Sequence, residues 1–468
     1  MSGPDPAATA DQVLEMVGSR AEAAVTVVHT RQSLTRFANS FIHQNVTDEH
    51  TAVSLQLSVD GRPSAASTYR TDHGALSELV ESALEAAAVR PIDPSWAGLC
   101  PPVALAAGPD VHYDAATAEA GPEWRADVVR RFVDAASSTG DTVAPGATPA
   151  GTAAGYCETA VTERVFANSL GHRVTDRYTR AAVDGILRLT RAGEPASDGV
   201  GSTYSWRGSD LDPSAAGADA GDRAGRGLDP IELPAGRYEV VLEPRCVGYI
   251  VDFLLVYGFN ARAVVEDRSF VSLGEEQFDP VLSLVDDATD PRQVGGSFDA
   301  EGTPKRRVEL VGGGTVTGLA HDRRTAARAG GGSTSTGHAV PGGESFGALA
   351  TNVFLSGTGA RHSGADLVGQ VERGLLVSDF WYARVLDPKS LVTTGLTRNG
   401  VFLIEDGRPG PAVSNLRYTQ SYAAALAPGR VLGVGGDATM ASGDLKFALH
   451  HVPSLRLAQW NFTGNASG

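Results

Sequence analysis

One aspartate lies within an apolar stretch of the sequence, where its carboxylate must have either a chemical role or a buried binding partner. Asp252 falls in the middle of residues 243–260, a stretch that is apolar on nearly every side of a helix. Pro244 suits a first helical turn and Gly258 suits a helix end, so the pattern predicts a central buried helix over residues 245–258. A buried carboxylate is costly unless it is paired or protonated. We favour an aspartate bonded to a neighbouring tyrosine or backbone amide, and a catalytic or ligand role is the alternative.

Metal binding would require histidines or carboxylates that converge on one point. The sequence contains 11 histidines, and no two of them share a helix face at ligand spacing. One interpretation is a zinc site formed across a folded loop region by His321, Asp322, His338 and His362. Solvent-facing loop histidines are the favoured interpretation.

The common catalytic motifs are absent from the sequence. We find no HExxH, Walker A or dinucleotide-binding fingerprint, so the usual routes to several enzyme classes lack support. Glycine runs at residues 312–314 and 330–332 are not followed by Lys-Ser or Lys-Thr. They indicate flexible loops or a close backbone approach to a ligand rather than a phosphate site.

Length and composition limit the class of protein. With 468 residues, of which 42% are hydrophobic, the chain can form two or three globular domains. A net charge of −16 disfavours nucleic acid as the main ligand. Three widely spaced cysteines and an N-terminus without an apolar targeting segment predict a cytoplasmic protein with no membrane anchor.

The helix and strand patterns predict an α+β fold with two domains. Residues 1–230 alternate helical and strand periodicity, which indicates an N-terminal α/β-type domain with a mixed or antiparallel sheet and packed helices. Residues 208–227, rich in Gly, Ala and Asp, are interpreted as a flexible loop. Residues 231–468 predict a mainly β domain around the central helix. The sequence Phe-Ala-Asn-Ser occurs at residues 37–40 and 166–169 and is interpreted as two strand-to-turn corners of one sheet.

Four segments spread over nearly the whole chain resemble one known family. They are RFANSFIHQN near the start, VVLEPRCVGYIVDFL, HDRRTAARAGGGSTSTGHAVPGG, and residues 374–421 near the end. Together these segments resemble the TldD/PmbA family. The resemblance implies a fold and an activity shared with a group of zinc-dependent peptidases.

The resemblance also identifies positions where the metal motif is degenerate. In the family, the catalytic TldD-type subunit carries HExxxH on the helix that corresponds to residues 245–258. Those motif positions are occupied here by Asp252, Phe253 and Tyr257. Without imidazoles for zinc and a carboxylate for water, metal-assisted hydrolysis loses its Lewis acid and its base. The chain therefore resembles the PmbA or TldE type, with no cofactor of its own and zinc in the partner.

The resemblance implies a partner and a substrate class. Subunits of this type pair with a TldD-type catalytic subunit and enclose a channel that processes peptides or unfolded proteins. Candidates for channel contacts in this chain are Gly330, Gly331, Gly332, Ser333 and His338. Two alternatives stay open: a hydrolase active on its own through an unrecognised site, and a peptide-binding module without cleavage.

A short segment rich in aromatic residues predicts a strand with large side chains on both of its faces. Residues 375–382 combine leucines with Phe380, Trp381 and Tyr382. Because alternate strand residues point to opposite faces, one face can fill the core while the other meets a partner. The core interpretation is favoured, and a partner contact is the alternative.

Overall fold

A six-stranded antiparallel sheet organises the N-terminal half of the protein. The computed structural model describes residues 5–106, 108–143, 150–192, 194–360, 363–443, 445 and 448–465. The sheet has the strand order β3-β2-β1-β4-β5-β6. The elements of this half are α1 (Pro6–Val17), β1 (Glu22–Ala38), β2 (Phe41–Val59), β3 (Arg62–Thr68), α2 (His73–Val89), α3 (Ala115–Ala118), α4 (Pro122–Val143), β4 (Ala150–Asn168), β5 (Arg173–Arg191), β6 (Glu194–Ser205) and α5 (Pro213–Arg226).

The sheet is built from two similar halves, each a helix, three strands and a helix. The first half runs from α1 to α2 and the second from α4 to α5, with β1 and β4 paired at the centre. Ser40 exchanges two hydrogen bonds with the backbone of Ala153, both at 2.9 Å. Ser169 does the same with Ala23, at 2.8 and 3.1 Å. The repeated Phe-Ala-Asn-Ser segments are therefore equivalent strand-to-turn corners, as predicted.

The Gly/Ala/Asp-rich segment is a helix, so its prediction as a flexible loop over residues 208–227 is wrong. Asp212 caps α5 by accepting a hydrogen bond from the amide of Ala215 at 3.0 Å. The small residues allow α5 to lie unusually close to α4: a Cβ on Gly217 would stand 2.2 Å from the carbonyl oxygen of Phe132. Composition resembled that of a linker because close helix packing and flexibility both favour small residues.

The C-terminal half is mainly β, as the sequence predicts. One sheet has the order β10-β9-β8-β11-β18-β17, and the other contains β12-β7-β19-β15-β13-β14 with β16 beside β19. Because β12 also pairs with β13, five strands of the second sheet close into a ring. The elements are β7 (Gly236–Leu242), α6 (Pro244–Phe253), α7 (Ala261–Val265), β8 (Leu282–Asp286), β9 (Val308–Gly312), β10 (Thr315–Val316), α8 (Arg323–Ala329), α9 (Gly343–Phe346), β11 (Val353–Gly357), α10 (Gly364–Val368), β12 (Arg373–Asp387), β13 (Val392–Glu405), β14 (Arg408–Ala412), β15 (Leu416–Ser421), α11 (Tyr422–Ala425), β16 (Val431–Val434), β17 (Thr439–Ser442), β18 (Leu449–Val452) and β19 (Leu455–Asn465).

The central helix of this half is buried, as predicted from its apolar pattern. Helix α6 continues into a π-helical turn over Leu254–Gly258, so the helical segment ends where the sequence places Gly258. Its side chains belong to the largest hydrophobic core of the molecule, between the two sheets. Among the described residues, no helix combines the length and apolarity that crossing a membrane requires. The α+β fold class is confirmed.

The aromatic segment of β12 faces both the core and the surface. Phe380 is fully buried and stacks on Trp460 with ring centroids 5.3 Å apart. Trp381 is 46% exposed, as expected for the opposite face of a strand. The core interpretation therefore holds for Phe380, whereas a partner contact could involve Trp381.

Candidate functional site

The carboxylate of Asp252 is buried and fully engaged. Its Oδ1 accepts a hydrogen bond from Nε2 of His450 at 2.6 Å, and its Oδ2 accepts one from the amide of Leu445 at 3.0 Å. Asp252 is 2% exposed, and His450 is fully buried beside it. The favoured interpretation of a satisfied buried aspartate agrees with this geometry, although its side-chain partner is a histidine rather than a tyrosine.

The other two positions of the degenerate motif lie in an aromatic cluster. Phe253 stacks on Tyr257 with ring centroids 5.9 Å apart and packs edge-on against Tyr422. The hydroxyl of Tyr422 lies 2.7 Å from that of Tyr418. A carboxylate with both oxygens in use and two aromatic rings do not make a donor set for zinc. Within the described ranges, no group of three or more His, Cys, Asp or Glu side chains is arranged to hold a metal ion.

Among the described residues, the alternative zinc site of the loop region is not formed. The favoured interpretation of solvent-facing loop histidines is wrong for His338, which is buried. His338 is 1% exposed, with Nε2 3.0 Å from Oδ1 of Asp286 and Nδ1 2.8 Å from Oγ1 of Thr336. The His338 side chain is thus buried in this chain, and its assignment as a channel residue stays a prediction. Asp322 is the N-cap of α8, bonded to Thr325. His362 lies outside the described residues.

The glycine candidates are exposed on the surface. Gly330, Gly331 and Gly332 follow α8 with φ values of 67°, 61° and 81°, and nothing lies within 4 Å of a Cβ built on any of them. Ser333 is exposed next to them. These residues do not line the large cleft described below, so a contact with peptide at this loop stays a prediction.

A cleft of about 770 Å³ separates the N-terminal sheet from the C-terminal half. The even-numbered residues of β4 from 156 to 164 and of β5 from 178 to 186 line it. Alternate strand residues share one face, so the odd-numbered residues face the helices on the other side of the sheet. The opposite wall comes from α6, residues 294–296, β12, β13 and β17. The volume falls in the range of about 300–1,000 Å³ typical of ligand sites.

An arginine from the central helix joins the two walls of this cleft. Nη1 of Arg245 donates to Oγ of Ser202 at 2.9 Å and lies 3.4 Å from a carboxylate oxygen of Asp184. Its Nε lies 3.5 Å from Oδ1 of Asp379. Burial raises the pKa of Asp379, although the charge of Arg245 opposes this effect. The hydroxyl of Tyr204 donates to Asp184 and completes the cluster.

The cleft carries an excess of positive side chains in an acidic protein. Three carboxylates line it, Glu158, Asp184 and Asp379, together with five cationic residues. The cations are Arg164, Arg180, Arg245, Lys305 and Arg398. The whole chain has a net charge of −16, so the net positive charge of the cleft lining is opposite in sign to the net charge of the protein. Such a local concentration of charge favours anionic groups on a ligand.

Two buried histidines hold the cleft-lining segment against the N-terminal half. Nδ1 of His112 lies 2.8 Å from the carbonyl oxygen of Gly295, and its Nε2 lies 2.9 Å from that of Asp290. Nε2 of His172 lies 2.8 Å from the carbonyl oxygen of Gly302. These contacts position residues 290–302, part of which lines the cleft, relative to the sheet.

Glu301 lies in the same segment, and we expect its titration to make the stability of the fold depend on pH. Burial, with the nearby charges of Asp299 and Asp322, raises its pKa to about 8. The folded state therefore binds this proton more tightly than the unfolded state, and stability falls as pH rises from about 5 to about 8. We expect Glu301→Gln to remove this part of the loss and to exceed wild type at pH 8.5 by about 1–3 kcal/mol in unfolding free energy.

Thermal melts at pH 6 and pH 8.5 would check this expectation. Glu85→Gln is a matched control, because Glu85 is exposed on α2. The control should follow wild type at both pH values. Equal pH slopes for Glu301→Gln and wild type would contradict the assignment.

Two segments of this chain match models of one protein family. Residues 235–464 match the family model described as the PmbA/TldA metallopeptidase C-terminal domain, and residues 117–228 match the one described as the central domain. The chain belongs to the TldD/PmbA family. The central-domain match covers the second αβββα half, α4 to α5. The two family matches are separated by residues 229–234, next to the predicted domain boundary at residue 230.

Curated relatives of this TldD/PmbA chain include archaeal proteins named as metalloproteases. One from Methanothermobacter thermautotrophicus is 29% identical over 116 residues, which are 24% of this chain and 26% of the relative. Metalloprotease MJ0996 from Methanocaldococcus jannaschii is 27% identical over 113 residues, 24% of this chain and 25% of the relative. The chain spans about a quarter of the length of the curated relatives it matches.

Solved structures share the fold over nearly the full length. TldE from Thermococcus kodakarensis superimposes with a TM-score of 0.83 at 17% identity, covering 98% of this chain and 99% of the other. A Thermotoga maritima protein described as a modulator of a DNA gyrase gives a TM-score of 0.82 at 17% identity, covering 98% and 100%. At this identity, the likeness establishes the fold alone.

Sequence reasoning missed the cleft, although local signals for it existed. The polar residues Tyr156, Glu158 and Arg164 recur at even positions of a strand whose odd positions are mostly apolar. Such alternation indicates one polar face. Arg245 is likewise a charged residue in the first turn of an otherwise apolar helix. What no local signal could reveal is that these groups meet across two domains.

Proposed function

We propose that this chain is the non-catalytic partner subunit of a heterodimeric TldD/PmbA-type zinc metallopeptidase that processes peptides and unfolded polypeptides in an enclosed channel. The proposal rests on the helix that carries the zinc motif in the family, because the side chains at the motif positions of this chain are engaged in other contacts. Asp252 is committed to His450 and Leu445, and Phe253 and Tyr257 are packed together. The metalloprotease names of the curated relatives support the reaction class.

Hydrolysis at a zinc centre needs an open coordination position and a base that activates water. Both oxygens of Asp252 already accept hydrogen bonds, Phe253 has no ligand atom, and the phenol of Tyr257 is not among the usual zinc ligands. In this proposal zinc and its activated water belong to the TldD-type partner. This chain supplies a channel wall and contacts that hold a peptide.

The surface of β12 supports a role in assembly. Trp381 is 46% exposed, and the guanidinium of Arg398 lies 4.4 Å from the centre of its ring. Exposed aromatic residues next to arginine are typical of protein interfaces. A cytoplasmic location is part of the proposal, in keeping with the free, buried cysteines Cys100, Cys157 and Cys246.

Reconstitution with a TldD-type subunit from the same organism tests the proposal. We expect the isolated chain to contain no stoichiometric zinc and to leave a fluorescence-quenched peptide intact. The equimolar mixture should cleave the peptide, and cleavage should stop when a chelator removes the metal. Size-exclusion chromatography of the mixture should show one complex containing both chains.

The same experiment separates the two alternatives. About one zinc per isolated chain, or metal-dependent cleavage by that chain alone, would establish an independent hydrolase. Peptide binding without cleavage, even in the presence of the partner, would indicate a binding module. The TldD-type subunit alone is the necessary control, since its own activity must be subtracted.

A further inference from the structure

We propose that the interdomain cleft binds a carboxylate carried by a peptide, and that the ammonium group of Lys305 receives it. The inference rests on the proposed function only for the peptide nature of the ligand. The carboxylate requirement follows from the groups that surround Lys305 and from the charges of the cleft.

The hydrogen bonds of Lys305 leave capacity for another acceptor. Its Nζ donates to Oγ1 of Thr351 at 2.6 Å and to Oδ1 of Asn352 at 2.8 Å, which are both neutral groups. An ammonium has three N–H donors, so one remains after these two bonds. Both Lys305 and Thr351 line the cleft. Burial lowers the pKa of Lys305, and a bound anion would offset this effect by stabilising the charged form.

The carboxylates whose charges act on Lys305, Asp286, Asp299 and Asp176, are engaged elsewhere. Asp299 accepts the amides of Glu301, Thr303 and Ala339. Oδ2 of Asp286 accepts the amides of Thr351 and Asn352, while its Oδ1 faces His338. Asp176 holds Arg164 through both oxygens and also accepts the amide of Ser297. Among the described residues, no carboxylate oxygen lies within ion-pair distance of the Lys305 ammonium. The positive charge therefore lacks a direct anionic partner in this part of the chain.

The arginines of the cleft do not offer the same opportunity. Arg164 pairs with Asp176, Arg180 pairs with Glu158, and Arg245 lies between Asp184 and Asp379. Arginine forks are the groups best suited to bidentate recognition of phosphate. These three forks are occupied by carboxylates, and the guanidinium of the fourth arginine, Arg398, lies 4.4 Å from the centre of the Trp381 ring. We therefore assign the ligand carboxylate to the compact ammonium of Lys305. A single carboxylate, bonded by one strong donor, fits this arrangement.

Other groups in the cleft suit an extended peptide. Ser442 lines the cleft and belongs to β17, an edge strand of its sheet, where backbone groups can pair with an added strand. Tyr156, Tyr178 and Tyr249 contribute aromatic surface. Peptides carry carboxylates either at the C-terminus or on Asp and Glu side chains, and both sources share the chemistry that Lys305 recognises.

Fluorescence anisotropy with the isolated full-length chain tests this inference. The probes are five-residue peptides labelled at the N-terminus: one with a free C-terminal carboxylate, one amidated and neutral, and one amidated with a central glutamate. We expect Lys305→Met to weaken binding of the carboxylate peptides by about 10- to 100-fold, the range for a charge-assisted hydrogen bond. The amidated neutral peptide should bind wild type as weakly as the acid peptide binds the variant.

Lys389→Met is the matched control. Lys389 is another lysine of the described chain, it is exposed, and it pairs with the exposed Asp267 at 2.8 Å. This variant should bind all three peptides like wild type. Lys305→Arg, which keeps the charge, should retain most of the affinity, and circular dichroism melts would show whether each variant is folded.

The outcomes are decisive and independent of peptidase activity. Preference for the free C-terminus or for the glutamate peptide identifies the source of the carboxylate. Equal binding by Lys305→Met and wild type, equal binding of neutral and acidic peptides, or no binding of any peptide would overturn the inference. Carboxylate binding that persists when reconstitution yields no cleavage would leave this site standing while the proposed function fails.

Discussion

Replacing Gly217 by valine is expected to lower the free energy of unfolding by about 3 kcal/mol or more, which is the upper part of the range for overpacked sites. A Cβ at this position would stand 2.2 Å from the carbonyl oxygen of Phe132 and 3.1 Å from Cβ of Ala135. The first of these atoms belongs to the backbone of α4, so a change of side-chain rotamer cannot relieve the clash. The two helices must separate, and the apolar contacts between them are lost.

Ala215→Val provides the matched control on the same helix. Ala215 is exposed, so the added methyl groups meet solvent. Valine costs only some tenths of a kcal/mol more than alanine in a helix, up to about 0.7 kcal/mol. Urea denaturation of both variants measures the difference. If Gly217→Val and Ala215→Val lose the same stability, α5 is not packed closely against α4 and the segment is a loosely held helix.

Replacing Asp252 by alanine is expected to cost about 2–6 kcal/mol, because two groups lose their hydrogen-bond acceptor and each such loss costs about 1–3 kcal/mol. His450 would lose the acceptor of its Nε2 hydrogen bond, and the amide of Leu445 would lose its partner. His450 is fully buried in β18, and Leu445 is half-buried in the segment between β17 and β18. The large effect follows from polar groups left without partners rather than from the net contribution of the pair.

A double-mutant cycle with His450→Ala would isolate the interaction. We expect the two single variants to be non-additive, with a coupling energy of about 1–3 kcal/mol. Asp127→Ala is the control, because Asp127 is exposed on α4 and pairs with Arg130 at 2.8 Å. An exposed pair of this kind contributes at most about 1 kcal/mol. Additive effects at Asp252 and His450 would show that the two side chains do not depend on each other.

The central helix could be predicted from sequence because its determinants are local. Pro244 and Gly258 mark its ends, and the continuous apolar run between them indicates burial on all sides. The interpretation of Asp252 as a satisfied buried carboxylate also followed from a general rule about buried charge. Its main partner could not be predicted, because His450 is separated from it by 198 residues of chain.

The segment at residues 208–227 shows where composition is ambiguous. Glycine lowers helix propensity and alanine gives only a weak burial signal, so a segment rich in both has the composition of a linker. In the structure the same residues form α5, because small side chains let two helix backbones approach closely. Only the presence of α4 at that distance distinguishes a packed helix from a flexible connection.

The sequence by itself determined the α+β class, the mainly β C-terminal half, the buried helix and the family-specific motifs, because each depends on periodicity or on residues close together in the chain. The tertiary structure decided the cleft. Arg245, Asp184 and Asp379 come from three distant segments, and Lys305 meets Thr351 and Asn352 only after the strands between them have paired. Charge compensation depends on distances between side chains in space, and the order of residues along a chain does not specify those distances until the chain folds.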